Sequence, residues 1–256
     1  IEGAQANRRG MWDPQLCGAI EQPDASLSLR ISRGNGNVAD ETVTVRNTGG
    51  TTVDLTGWML RDAGNAGWYT FPGGSVLAPG DYRTVHTGKG RDRRPTGHDV
   101  YRDREKELYV DPGTEPNLVG DGAYLLDRAG NYRSWREYPC TTRCAADDGA
   151  GTLVIEDLSL GKKKGIKRAQ TQFIRLANQG ATTLCLDGYR MDTQGLTYWF
   201  PSGTCLAPGA TLTLHGGDRK SWSKVTYLDR KKPMFYLTGS AQIVSDRDQV
   251  LAERLW

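Results

Sequence analysis

Two stretches of this chain repeat one another, and a fold must accommodate both. Asn47–Trp58 reads N-T-G-G-T-T-V-D-L-T-G-W, and Asn178–Tyr189 reads N-Q-G-A-T-T-L-C-L-D-G-Y. Tyr69–Gly80 reads Y-T-F-P-G-G-S-V-L-A-P-G, and Tyr198–Gly209 reads Y-W-F-P-S-G-T-C-L-A-P-G. His86 and His215 keep the same spacing from the closing glycine of these blocks, and Gly120–Asp127 answers Gly239–Asp246. Self-similarity at this length marks two copies of one domain. The expected division is 1–21 as a lead-in, 22–143 as the first domain and 151–256 as the second. The run Asp147-Asp148-Gly149-Ala150-Gly151 supplies linker chemistry between them.

Each copy reads as strands. Leu27, Leu29 and Ile31 alternate with polar residues, as do Val43 and Val45, then Val53 and Leu55. Asn47–Gly50 and Pro79-Gly80 are turn signals. The 32 glycines have no three-residue period, which excludes collagen, and no apolar run approaches the roughly 20 residues of a spanning helix. Short strands without intervening helices predict an all-β chain, two antiparallel β-sandwiches in tandem. Val43, Val45, Leu55, Trp58, Phe71 and Leu77 are the expected core of the first. Ile174, Leu176, Leu186, Tyr189, Phe200 and Leu206 are their counterparts in the second.

Catalytic and metal chemistry find little footing. There is no G-x-S-x-G elbow, and His86, His98 and His215 are the three histidines. His86 and His215 each end a strand and read as framework, while His98 reads as a residue of a solvated loop. Asp121 and Asp127 fall in strand-edge turns, where carboxylates cap. Asp111, Glu115 and Asp121 do not match an EF-hand loop. The five cysteines, at 17, 140, 144, 185 and 205, form no CxxC and have no histidine at zinc spacing. No catalytic residue, metal or cofactor is expected, and disulfides are the better use of the thiols. Cys185 and Cys205 replace Asp54 and Val76 together, which is the signature of a bond private to the second copy. Cys17 is expected to bond Cys140 or Cys144.

The N-x-G … V-D-L-x-G-W … F-P-x-G-x-x-L-x-P-G pattern, at Asn47/Gly49, Val53–Trp58 and Phe71–Gly80, resembles the lamin tail domain, an immunoglobulin-like β-sandwich. The second copy keeps it more loosely, with Cys185 and Tyr189 in place of Asp54 and Trp58. Ala4-Gln5-Ala6-Asn7-Arg8-Arg9-Gly10-Met11-Trp12 resembles the closing helix of a thermonuclease (micrococcal-nuclease-type) domain, and Trp12-Asp13-Pro14 with Leu16-Cys17-Gly18 fits the junction after it. Bacterial secreted nucleases of this kind carry lamin tail modules behind the catalytic domain. The resemblance therefore implies a short N-terminal helical tail, a secreted or cell-envelope setting, and an upstream nuclease domain whose catalytic residues are not in this sequence.

The remaining signal is basic. Net charge is +3, yet residues 1–150 carry −3 and residues 151–256 carry +6. Lys162, Lys163, Lys164, Lys167 and Arg168 occupy the first long loop of the second copy. Arg219 and Lys220, with Trp222 and Lys224, occupy a later one, and Arg230, Lys231 and Lys232 follow. Such residues suit the DNA or RNA backbone, with Trp222 offering a stacking face. The function expected is a non-catalytic accessory region of a secreted nuclease, targeting it or tethering its substrate. The alternative is a cell-envelope adhesion or structural module that binds protein or glycan.

Overall fold

The computed structural model describes residues 7, 20–33, 37–64, 67–91, 97–109, 121–138, 146–161, 166–217, 225–228 and 232–256. The N-terminal helical tail, Cys17, Cys140, Cys144 and the linker residue Ala145 lie outside the described residues. The chain divides into two compact units, Ile1–Cys140 and Thr141–Trp256.

In the first unit, β1 (Leu27–Ser32), β2 (Thr42–Asn47), β7 (Tyr82–His86) and β8 (Asp99–Tyr101) form one sheet in that order. The second sheet runs β10 (Tyr132–Tyr138), β9 (Asp121–Leu126), β4 (Met59–Asp62) and β5 (Trp68–Thr70). A ribbon of β3 (Val53–Asp54) and β6 (Val76–Leu77) flanks them. Alternation puts Leu29, Ile31, Val43 and Val45 of one sheet against Leu60, Ala123 and Leu125 of the other, in one buried cluster with Leu55, Trp58, Phe71 and Leu77.

The second unit repeats this plan. Its sheets are β11 (Leu153–Ser159), β12 (Phe173–Asn178), β17 (Thr211–His215) and β18 (Val225–Tyr227), and β15 (Leu196–Trp199), β14 (Arg190–Thr193), β19 (Ser240–Val244) and β20 (Val250–Leu255). The ribbon is β13 (Leu184–Cys185) with β16 (Cys205–Leu206). All twelve residues expected in the two cores are buried. One pairing was not evident in the sequence: β8 and β18 join β7 and β17 in parallel, in otherwise antiparallel sheets.

The recurring asparagine explains the recurring turn. Asn47 is fully buried at the end of β2, and its Nδ2 donates to Thr51 O (2.7 Å) and Leu77 O (3.0 Å) while its Oδ1 accepts from Gly49 N (3.0 Å). Asn178 does the same with Thr182 O (2.8 Å), Leu206 O (2.9 Å) and Gly180 N (2.9 Å). Gly80 and Gly209 close the arrangement by donating to the carbonyls of Asn47 and Asn178. Both glycines sit at positive φ, 79° and 70°, where a side chain would strain the turn.

The central aromatic rings differ but are held alike. Trp58 and Tyr189 are each 0% exposed, so their polar tips need partners. Trp58 Nε1 donates to Glu21 Oε2 at 3.0 Å, and Tyr189 Oη donates to Asp148 O at 3.0 Å. In both cases the partner comes from the segment leading into the domain. Arg133 lies over the Trp58 ring at 4.8 Å and donates to the carbonyls of Glu21 and Gln22, fastening that lead-in.

One expectation needs correction. Gly120–Asp127 does not answer Gly239–Asp246 letter for letter. Met59 faces Leu126 as Arg190 faces Val244, so Leu126 corresponds to Val244 and Asp127 to Ser245. The turn bonds agree, because Asn131 N donates to Asp127 Oδ1 and Gln249 N to Ser245 Oγ. The one helical turn among the described residues, α1 (Ile166–Ala169), lies in the connection before β12. There Lys167 and Arg168 extend a segment without the β-branched alternation of a strand.

Cys185 and Cys205 face each other across β13 and β16 and are bonded, at a sequence separation of 20. Asp54 and Val76 face each other in the same way in the first domain, where no bond is needed. Replacing both cysteines by serine is therefore expected to leave the second domain folded but weaker by about 3 kcal/mol, the chain-entropy value for a loop of this order. Denaturant unfolding of the full chain checks this, with the first domain's transition unchanged.

Candidate nucleic-acid interface

The basic runs of the second copy interrupt one sheet, so the register decides which end they leave from. Ser159 faces Phe173, Phe173 faces His215, and His215 faces Tyr227. These four residues form one row across β11, β12, β17 and β18. Three connections depart from that row: 160–172 after Ser159, 216–224 after His215, and 228–239 after Tyr227. They are the connections whose sequences hold Lys162–Lys164, Arg219-Lys220 and Arg230–Lys232.

Lys162, Lys163, Lys164, Arg219, Lys220 and Trp222 lie outside the described residues, as do Lys224, Arg230 and Lys231. Lys167 belongs to the backbone of α1. Arg168 is half-buried rather than a free rim cation. Its Nε donates to Leu160 O at 3.0 Å, and its carbonyl accepts from Thr171 N and Thr171 Oγ1. Arg168 thus folds its own connection, and its buried Nη2 has no hydrogen-bond partner.

The residue that organises this end is Gln172, which is absent from the repeat blocks. It is fully buried, its Nε2 donates to Phe235 O (2.7 Å) and Leu160 O (3.1 Å), and its Oε1 accepts from Met234 N (2.7 Å) and Phe235 N (3.2 Å). One amide thereby ties two of the three connections together. Glu41 occupies the equivalent place in the first domain, taking Leu108 N at 2.8 Å and Tyr109 N at 3.0 Å. Burial pushes the Glu41 carboxyl above its ordinary range, although both amides favour its charged form. The shared signal is a residue with an acceptor oxygen immediately before β2 or β12, hidden by the Glu/Gln difference.

The histidines are built into the sheet. His86 stacks on Tyr101 at 4.4 Å with Nε2 2.9 Å from Asp99 Oδ1, and His215 stacks on Tyr227 at 4.9 Å. His98 is more engaged than a loop residue in solvent. It stacks on Tyr82 at 4.2 Å, and its Nδ1 lies 2.9 Å from Tyr82 O and 3.3 Å from Asp81 Oδ1. Asp127 caps a turn as expected of it, accepting from Glu21 N and Asn131 N. Asp121 accepts from Ala63 N and Gly122 N, while Asp111 and Glu115 lie outside the described residues.

Two sandwiches with the same strand order, the same buried asparagine and the same Pro-Gly turn define a tandem immunoglobulin-like interaction module. The Lamin Tail Domain family profile matches residues 23–140 and 147–250, and the chain belongs to that family. Comparison with curated proteins gives no match. The family fold is non-catalytic.

Glu41 allows a test of this end of the fold. A carboxyl raised by folding contributes most stability below its unfolded pKa and loses it as pH rises through the folded value. Glu41→Gln, which can take up the Gln172 arrangement, is expected to raise the melting temperature of the first domain at neutral pH. The gain should shrink as pH falls into the carboxylate range. Thermal unfolding across that range is the check.

Proposed function

We propose that the two lamin tail domains are the accessory region of a secreted nuclease, and that the second domain holds nucleic acid by its backbone. The observation carrying this reading is the row Ser159, Phe173, His215 and Tyr227, from which all three lysine- and arginine-bearing connections depart. Cations on connections that share one end of a sandwich act jointly on a polyanion, whereas the same cations at opposite ends only solubilise. The net charge of +6 over residues 151–256 points the same way. Backbone contacts of this kind position a strand without reading its sequence. The nuclease half of the proposal is supported by the Ala4–Trp12 resemblance, and the coding sequence upstream of Ile1 tests it.

Replacing Lys162, Lys163 and Lys164 together by alanine is expected to weaken binding similarly for unrelated DNA sequences. It should also reduce the slope of log affinity against log salt by up to about 3, near one per lost phosphate contact. Titration of labelled duplex and single-stranded DNA at several salt concentrations measures both. Retention of DNA by the triple variant at low salt, with an unchanged slope, would remove this interface. Salt-independent binding to a glycan or protein would favour an adhesion module instead.

A further inference from the structure

The corresponding end of the first domain is built differently, and the second domain shows that the fold does not require the difference. Arg102 N donates to His86 O (3.0 Å) as Leu228 N donates to His215 O (2.9 Å), so Arg102 and Leu228 are equivalent. Tyr109 and Phe235 are equivalent because their amides are taken by Glu41 and Gln172. Asp62 faces Ala123 as Thr193 faces Ala241. Where the second domain has leucine, phenylalanine and threonine, the first has arginine, tyrosine and aspartate.

These polar groups are not committed to one another. Tyr109 is buried and its hydroxyl has no hydrogen-bond partner, and Arg102 Nη1 is likewise buried and unpartnered. Arg104 stands beside Arg102: a Cβ built on Gly67 would be 2.7 Å from Arg102 Nη2 and 2.9 Å from Arg104 Nη1. Neither guanidinium forms an ion pair within 4 Å among the described residues. Three carboxylates near them accept from backbone amides, while Glu107 Oε1 is buried with no hydrogen-bond partner. Asp62 Oδ1 accepts from Gly67 N (3.3 Å), Asp121 Oδ1 accepts from Ala63 N and Gly122 N, and Glu41 accepts from Leu108 N and Tyr109 N. Arg102 and Tyr109 thus keep buried, unused donors beside a second guanidinium, that of Arg104. Guanidinium pairs of this kind match the oxygens of a phosphate.

We propose that Arg102, Arg104 and Tyr109 form a phosphate-binding site at this end of the first domain. The phosphate oxygens accept from both guanidiniums and the Tyr109 hydroxyl, and they offset the repulsion between the two like charges. Asp62 and Glu41, both buried and close enough to act on Arg102 and Tyr109, disfavour a dianion together with Asp121. The site therefore suits the singly charged phosphodiester of a nucleic-acid strand better than inorganic phosphate. It is separate from the lysine runs of the second domain and does not depend on them.

The test is a titration of the full chain carrying Lys162→Ala, Lys163→Ala and Lys164→Ala, followed by amide and arginine Nε resonances. One arm uses a short single-stranded oligonucleotide and the other inorganic phosphate. Saturable shifts at Gly67, Arg102 and Arg104 are expected with the oligonucleotide. Adding Arg102→Leu and Tyr109→Phe, which copy the second domain, should weaken that binding at least tenfold while the other domain's spectrum is unchanged. Tighter binding of inorganic phosphate at the same resonances would keep the site and make free phosphate its ligand. Absence of shifts at these residues with either probe, or undiminished affinity in the Leu/Phe variant, would overturn the site.

Discussion

Each domain depends on one buried carboxamide. Asn47 and Asn178 end the second strand of their sheets, where the chain must turn away to form the short ribbon. A buried turn leaves backbone carbonyls and amides that water cannot reach, and leaving them unpaired is costly. The asparagine side chain carries two donors and an acceptor on one planar group, and here both functions are used. It joins the end of its own strand to the turn leading into one ribbon strand and to the last residue of the other. The Asn-x-Gly spacing follows, because the acceptor oxygen caps the amide two residues on.

Around that fixed point the two copies diverge where chemistry permits. The central ring is Trp58 in one and Tyr189 in the other, and each lead-in segment supplies the acceptor its ring needs. The ribbon is closed by a disulfide in the second copy and by backbone pairing alone in the first. The carboxylate of Glu41 and the amide of Gln172 perform one task, tying a distant connection to the strand end. These exchanges preserve acceptors and volume rather than residue identity. The same comparison isolates Arg102 and Tyr109, whose counterparts Leu228 and Phe235 are apolar.

Much of this architecture is legible in the sequence because alternation and repetition report the same faces. Leu29, Ile31, Val43 and Val45 alternate strictly and all are buried, although Thr42 and Thr44 of β2 are buried with them. The Cys185–Cys205 bond is legible because two substitutions fall on residues that face each other. The parallel pairing of β8 and β18 is not, since three-residue strands carry too little pattern to reveal direction. In the last repeat block, identical glycine and aspartate letters favour an alignment one residue away from the one the pairing imposes. Gln172 escapes notice because its role is defined by groups 62 and 63 residues onward. Of the basic residues singled out for binding, the structure describes the side chains of exposed Lys232 and half-buried Arg168. The Nε of Arg168 is held by Leu160 O, so high charge in sequence does not identify which guanidinium is available.

Both domains rest on their buried asparagines, and native-state hydrogen exchange on the intact chain tests them most directly. The amides of Gly49 and Gly180 lie in turns and have only the asparagine Oδ1 atoms to protect them. They are expected to exchange as slowly as the ladder amides of β2 and β12, opening only when the whole domain unfolds. Exchange of both amides at the rate of an unprotected turn, while those ladders stay protected, would contradict the central role given to Asn47 and Asn178.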